Sequence, residues 1–498
     1  MRINKLITTL TTATVLCTAC GDFLDKQPSV SEDTPVTETS QLLALYDYLT
    51  NIYTNNYFAY YSTDDTELPK EMYAQYPSQF NINYIVSNYT HFRDGIIANS
   101  SDGFWTGEYS KIYTANLIIN SASSVSGSTE ELNEALGCAH FMRAYSFFDL
   151  ATYYCMPWCE ANREALGMPI RLGLDYEENV SRGTLEQTYA QIFADLQAAE
   201  EYITRTEIDA DMPWRVSKCA INALYSRIYL ARGEYEQALN YTNAALENAP
   251  ELFDYNQFTW GTPASYPAAG DRPAETLDYC ETNDWSATRF LYFQEWIFPR
   301  LVQNRAQWAM PSTQLMNLYD HENDLRYDFF FVEHGNRRMN VLYDWWRYSQ
   351  FNDGRYVISG LTIQEMLLNK AECMVRLGQW QEALNVLTPL RQARFRTGTA
   401  TALTASSQAE ALKVVLEERR RELPFAFRMM DIKRFSVNDT PDDDVTITRD
   451  FFDMSVTEVD TNTPKTWVIQ GNSPALAMPI FQTEIDSSQG MIEQNPGE

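Results

Sequence analysis

Cys219 to Pro250 reads CAINALYSRIYLARGEYEQALNYTNAALENAP, and this stretch decides the architecture. Apolar residues recur at helical spacing on both sides of Arg232-Gly233-Glu234, and Pro250 closes the second stripe. Two helices joined by a glycine turn within about 34 residues have the period of a tetratricopeptide repeat. Gly233 makes the turn, Tyr235 and Ala238 pack the second helix on the first, and Ala245 lies near its close. A second copy lies in Thr362 to Phe395, where NKAECMVRLGQWQEALNVLTPLRQARF sets Gly378, Trp380 and Ala383 in the places of Gly233, Tyr235 and Ala238. Such repeats bury each other's apolar faces and commonly bind other proteins; alone they do not imply catalysis.

Further helices flank these two pairs. Thr184 to Ile203 carries a helical stripe opened by a capping box of Thr184 and Gln187. With Glu130 to Tyr154 it forms a third, degenerate pair, and Trp105 to Ser121 adds a flanking helix. Ser407 and Glu410 open another helix, which ends in Glu417-Glu418-Arg419-Arg420-Arg421-Glu422. Ion pairs such as Glu417 with Arg421 suit that run better than catalysis, because no nucleophile or metal motif accompanies these carboxylates.

Between the clear repeats, Glu251 to Gly360 is too long for a connection. Gly261, Pro263, Pro267, Gly270 and Pro273 interrupt it, while Trp260, Trp285, Trp296, Trp308, Trp345 and Trp346 stud it. Tyr46 to Tyr113 is also loop-rich and dense in tyrosine. A flat aromatic ring stacks on the C–H face of a sugar while neighbouring polar groups satisfy its hydroxyls. Any single aromatic more often packs a core, so the clusters carry the argument. Asp64, Asp65, Tyr76, Tyr84, Trp260 and Trp285 are the candidate ligand-binding residues, expected to face solvent or ligand.

Composition narrows the chemistry. The 498 residues are 45% apolar and 21% charged, enough for an extensive core. Lys and Arg number 38 against 67 Asp and Glu, a formal charge of −29 that repels phosphate, so nucleic acid is a poor partner. His91, His140, His321 and His334 form no zinc-spaced cluster with the cysteines, and no phosphate-binding glycine loop appears. No cofactor or metal is expected. Cys155 and Cys159 are the one close cysteine pair after the N-terminal segment; a disulfide there is permitted in an oxidising compartment, but buried thiols acting as small hydrophobes are the expectation.

Arg2 and Lys5 precede an apolar and hydroxyl stretch to Cys17, the pattern of an export signal. Leu16-Cys17-Thr18-Ala19-Cys20 resembles a bacterial lipoprotein signal, implying removal of residues 1–19 and acylation of Cys20. Ordinary secretion with Cys20 as a thiol is the alternative. No later window is long and apolar enough to span a bilayer, so a lipid anchor is expected.

In order along the chain stand Cys20-Gly-Asp-Phe-Leu-Asp-Lys-Gln-Pro28, Trp105, Tyr109, Tyr113 with Ala115-Asn116, AHFMRAYSFFDLATYY from Ala139, the repeat helices, LEERRRELPFAFRMMDIKRF ending at Phe435, Met478-Pro-Ile-Phe, and Gln494-Asn-Pro496. This series resembles the SusD-like, or RagB/SusD, family of nutrient-binding outer-membrane lipoproteins. Cys155 stands where many members have glycine, and the segment after Glu422-Leu423 is shortened, while Arg428, Asp431 and Arg434 keep the family spacing.

The resemblance implies a mostly α protein whose tetratricopeptide-like helix pairs form a scaffold beside a large irregular ligand-binding region. Residues 20–498 would form one domain, with an N-terminal part to about 250, a variable insertion at about 251–360, and a C-terminal repeat and tail from about 361. It also implies a non-catalytic glycan-binding protein on the surface of a Gram-negative bacterium, partnered with a SusC-like TonB-dependent transporter. Peptide cargo, a surface glycosidase and a scaffold without small ligand are the competing readings.

Overall fold

The computed structural model describes residues 36–48, 53–54, 58–99, 103–175, 181–260, 277–278, 289–303, 310–333, 345–348 and 356–497. Eleven helices carry the scaffold: α1 Thr39–Tyr46, α2 Gly103–Ser121, α3 Thr129–Tyr154, α4 Leu185–Tyr202, α5 Lys218–Ala231, α6 Tyr235–Leu246, α7 Ile363–Arg376, α8 Trp380–Val386, α9 Thr388–Arg394, α10 Gln408–Glu422 and α11 Arg428–Phe435. The mostly α architecture expected from the repeats is the one observed.

Both repeats form as their sequences dictate. Gly233 at φ +73° and Gly378 at φ +86° turn the chain between α5 and α6 and between α7 and α8, a left-handed conformation that costs a side-chain-bearing residue energy. Ala238 and Ala383 are fully buried, which lets each second helix approach its first. The pairs meet through Leu230, Ala238 and Cys373, with Tyr229, Tyr235 and Leu239 packed around them. α4 begins with the expected capping box, Thr184 Oγ1 accepting from the Gln187 N–H at 3.2 Å while the Gln187 side chain accepts from the Thr184 N–H at 3.0 Å. It packs along α3, and α2 lies on the other side of α3. The five described cysteines carry free thiols, Cys155 buried and Cys159 half-buried, so this pair is not bridged.

Paired strands tie the middle of the long insertion to its end. Trp296–Phe298 runs antiparallel to Leu361–Thr362, and Leu301–Gln303 pairs with Tyr356–Ile358. The second half of the insertion is thereby fixed at its two ends beside the start of α7. After α11, β1 (Ile447–Met454) and β2 (Val459–Ile469) form an antiparallel hairpin with an irregularity after Phe452. Ile447, Arg449 and Phe451 alternate inward with exposed Thr448 and Asp450, the two-residue period of a strand.

The charged run of α10 is interior. Glu418 accepts from Arg326 at 2.8 Å, from Arg391 at 2.6 Å and from Arg421 at 2.8 Å. Glu422 accepts from Arg326 at 2.7 Å and from Arg394 at 2.9 Å, and Arg394 also holds Glu295 at 2.8 Å. Arg419 donates to Asp431 at 2.9 Å, while Arg434 joins Asp431 to Glu372 of α7. The partner of Arg421 is therefore Glu418 in place of the expected Glu417, because Glu418 faces inward, where an unpaired carboxylate is costly. On α11, Lys433 donates to the Thr152 carbonyl at 2.7 Å and to that of Cys155, closing the C-terminus of α3.

Burial alone would push the Glu418 carboxyl up, but Arg326, Arg421 and Arg391 outweigh it and hold the group well below the usual range. A carboxylate with a depressed folded pKa contributes stability fully above its unfolded value, near 4.5, and loses it as the pH falls toward the folded one. Glu418→Gln should therefore destabilise the protein by about 3–5 kcal/mol at pH 7 by urea unfolding. The gap from the unsubstituted chain should narrow at about pH 3; an unchanged gap would contradict this account.

Candidate functional site

Three distant stretches meet on the side of the scaffold where the insertion lies. Thr66 forms an antiparallel bridge with Pro311. The Glu67 N–H donates to the Met310 carbonyl at 3.1 Å and the Ser312 N–H to that of Asp65 at 2.7 Å. Ser312 Oγ donates to the Asp64 carbonyl at 2.6 Å. From below, Arg428 grips the Asp64 carboxylate through two bonds of 2.7 and 2.8 Å, and Arg420 binds Asp65. The second Asp65 oxygen accepts from the Phe425 N–H at 2.8 Å, which holds Phe425 at φ +68°, an unusual conformation for a bulky residue. Arg449 reaches in from β1 to the carbonyls of Thr66 at 2.8 Å and Tyr89 at 3.2 Å.

These contacts correct the expectation that Asp64 and Asp65 face solvent or ligand. Both are buried, and arginines take up their carboxylates. Burial would raise the Asp64 pKa, yet Arg428 and Arg420 keep it well below the ordinary range. Tyr60, Tyr61, Tyr73 and Tyr89 are likewise core residues, whereas Tyr76 and Tyr84 are half-buried. Tyr76 follows the short helix Lys70–Gln75, and the Tyr84 N–H is held by the Asn81 side chain at 2.9 Å. Of the insertion tryptophans, Trp296 is in the core. Trp285 and Cys20 lie outside the described residues, and Trp260 is placed only by its backbone, in a short strand against Leu277–Asp278.

An aromatic face borders this junction. Trp345 and Trp346 are half-buried, their rings 5.7 Å apart and inclined by 68°. The Trp345 indole N–H donates to the Pro311 carbonyl at 3.1 Å, and that of Trp346 to the Tyr327 hydroxyl at 3.1 Å. Tyr327 in turn donates to Glu333. Exposed His321 lies flat on the Tyr327 ring, at 3.9 Å and 12°, with Nε2 at 3.0 Å from the Met316 carbonyl. The indole N–H groups are thus occupied by the protein, and what the tryptophans present is ring surface. Trp345-Trp346 was visible in the sequence as a dipeptide; His321 and Tyr327 carried no signal of their own. Among the described residues no group of His, Cys, Asp and Glu is gathered to hold a metal ion.

Comparison with known proteins identifies the family. A family model described as "Starch-binding associating with outer membrane" matches residues 22–230, and a SusD family model matches residues 363–497. The chain belongs to the SusD-like family. SusD-like protein P2 of Formosa agariphila is 24% identical over 395 residues, spanning 71% of this chain and 74% of its own. A SusD superfamily crystal structure from Bacteroides thetaiotaomicron superposes with a TM-score of 0.65 at 20% identity, covering 92% of this chain and all of its own. A SusD-like carbohydrate binding protein from Bacteroides vulgatus gives 0.60 at 17% identity, covering 91% and 97%. The break between the two matched segments takes in α6 and the insertion.

Because Asp64 is bound to the scaffold, Asp64→Ala should lower stability by about 3 kcal/mol or more by leaving Arg428 without its partner. Thermal unfolding checks this: an unchanged Tm would mean that the carboxylate is not the tie described.

Proposed function

We propose that this protein is a non-catalytic, cell-surface lipoprotein, acylated at Cys20, that binds oligo- or polysaccharide and passes it to a SusC-like TonB-dependent transporter of the outer membrane. The observation that carries the glycan reading is the Trp345–Trp346 face, whose indole N–H groups are already satisfied and whose rings border the insertion. Ring surface of this kind takes the C–H face of a sugar without needing charge. Membership of a family with a carbohydrate-binding relative in Bacteroides vulgatus supports the same conclusion. Against catalysis, the carboxylates beneath the junction are neutralised by arginine: Asp64 by Arg428, Asp65 by Arg420, and Glu418 and Glu422 by Arg326. A general acid or base needs a proton it can exchange with substrate. Tyr76, Tyr84, Trp260 and Trp285 remain candidate contacts for the same ligand.

The mature chain in detergent micelles should bind members of a polysaccharide panel saturably in affinity gels and calorimetry, with the ligand recovered intact. Trp345→Ala and Trp346→Ala should each weaken binding about tenfold, or about 1.4 kcal/mol. Cleaved ligand would overturn the non-catalytic reading, and saturable binding of peptides alone would replace the cargo.

A further inference from the structure

A cleft of about 790 Å³ opens beside α2, lined by residues that take no part in the Trp345–Trp346 face. Trp105, Tyr109 and Tyr113 follow one another at four-residue spacing on α2 and form its aromatic wall. The segment from Pro169 to Asp175 is the second wall, and the turn from Glu484 to Ile492 is the third.

The cleft is preformed. Tyr109 OH donates to the Pro169 carbonyl at 2.9 Å. Asn116 Nδ2 donates to the carbonyls of Arg171 and Gly173, both at 3.1 Å, while its Oδ1 accepts from buried Arg143 at 2.7 Å. With Asn120 Nδ2 donating to the Leu172 carbonyl at 3.3 Å, the second wall is fastened to the helix by bonds that use no charged group of the lining. Gln489 at φ +55° and Gly490 at φ +79° shape the third wall as a tight turn, closed by Ser488 Oγ accepting from the Ile492 N–H at 3.0 Å.

The mouth is unusually apolar for this surface. Six large apolar side chains are exposed among the described residues, and two of them line this cleft: Tyr113 at 37% and Met491 at 49%. Beside them stand Ser110, Thr106, Gln489, Asp175, Glu484 and Arg171. Aromatic and aliphatic surface set among hydroxyl, amide and carboxylate groups suits a ligand with C–H faces and many hydroxyls. The charges select further. In the described lining, one guanidinium stands against two carboxylates, on a chain of formal charge −29, so an anionic ligand is repelled. The volume lies within the roughly 300–1,000 Å³ typical of small-ligand sites.

We propose that this cleft is a second carbohydrate site, selective for uncharged oligosaccharide and separate from the Trp345–Trp346 face; the proposal rests on the glycan reading above. Two sites on one protein let a long glycan engage both, and tethering by the first raises the effective concentration at the second.

The test is calorimetry on the mature chain in micelles, with maltoheptaose, laminarihexaose, xylohexaose and mannohexaose as neutral probes and oligogalacturonate as the charged one. The expected result is two neutral oligosaccharides per chain and no binding of the charged probe at the cleft. Tyr113→Ala should reduce the stoichiometry to one, while Trp345→Ala weakens the other site about tenfold and leaves this one unchanged. Ser110→Trp, which fills the mouth from an exposed helix position, should act as Tyr113→Ala does. Unchanged thermal unfolding identifies either variant as folded. One site, weakened by Trp345→Ala and untouched by Tyr113→Ala and Ser110→Trp, would overturn the second site and leave the glycan reading standing. Binding of no probe at either place would overturn both, and oligogalacturonate binding lost with Tyr113→Ala would overturn the charge selection.

Discussion

Everything in this fold hangs on arginines buried opposite carboxylates from other parts of the chain. The α10 residues Glu418, Arg419, Arg420 and Glu422 each reach a different region: the insertion through Arg326, α11 through Asp431, the N-terminal stretch through Asp65, and α9 through Arg394. Buried ion pairs roughly break even against apolar packing of the same volume, so they are weak evidence for stability as such. Breaking one partner is expensive, however, and that asymmetry fixes register. An α10 rotated or shifted by a residue would leave several charges without partners. The network accordingly dictates where the irregular segments sit, including the rim carrying Ser312 and Pro311 that receives the Trp345 N–H.

The helical part of this design is written locally. Gly233, Gly378, Ala238, Ala383 and the Thr184 capping box act over a few residues, so period and turn chemistry suffice to place α4 to α8. The charged face of α10 misleads for the opposite reason. A run of glutamates and arginines reads as solvated, and only partners such as Arg326 and Asp431, distant in sequence or beyond the helix, draw it inward. The β1–β2 hairpin is hard to see in the sequence although Ile447, Arg449 and Phe451 alternate correctly, since an inward arginine breaks the apolar pattern; Arg449 binds backbone carbonyls.

Site residues are legible to a lesser degree. Asp64-Asp65 stood in a segment rich in turn residues, and turn composition does not distinguish an exposed carboxylate from one bound by Arg420 and Arg428 several hundred residues later. Tryptophan density did point to the region holding Trp345 and Trp346. The α2 stripe of Trp105, Tyr109 and Tyr113 was read as part of a helix and a family motif. Its second property, a wall open to solvent, depends on Asn116 fastening a separate segment across from it.

The paired strands at the base of the insertion carry a consequence for how the molecule comes apart. In an uninterrupted solenoid each repeat touches only its sequence neighbours, and unfolding frays inward from an end. Here α6 rests on α7 across the whole insertion, and the stem formed by Trp296–Phe298 with Leu361–Thr362 stands directly before α7. Glu295, at the foot of the same stem, is held by Arg394. The α6–α7 interface, the stem and the charge network thus meet around the stretch from Glu295 to Phe298, so that opening the stem disturbs the other two.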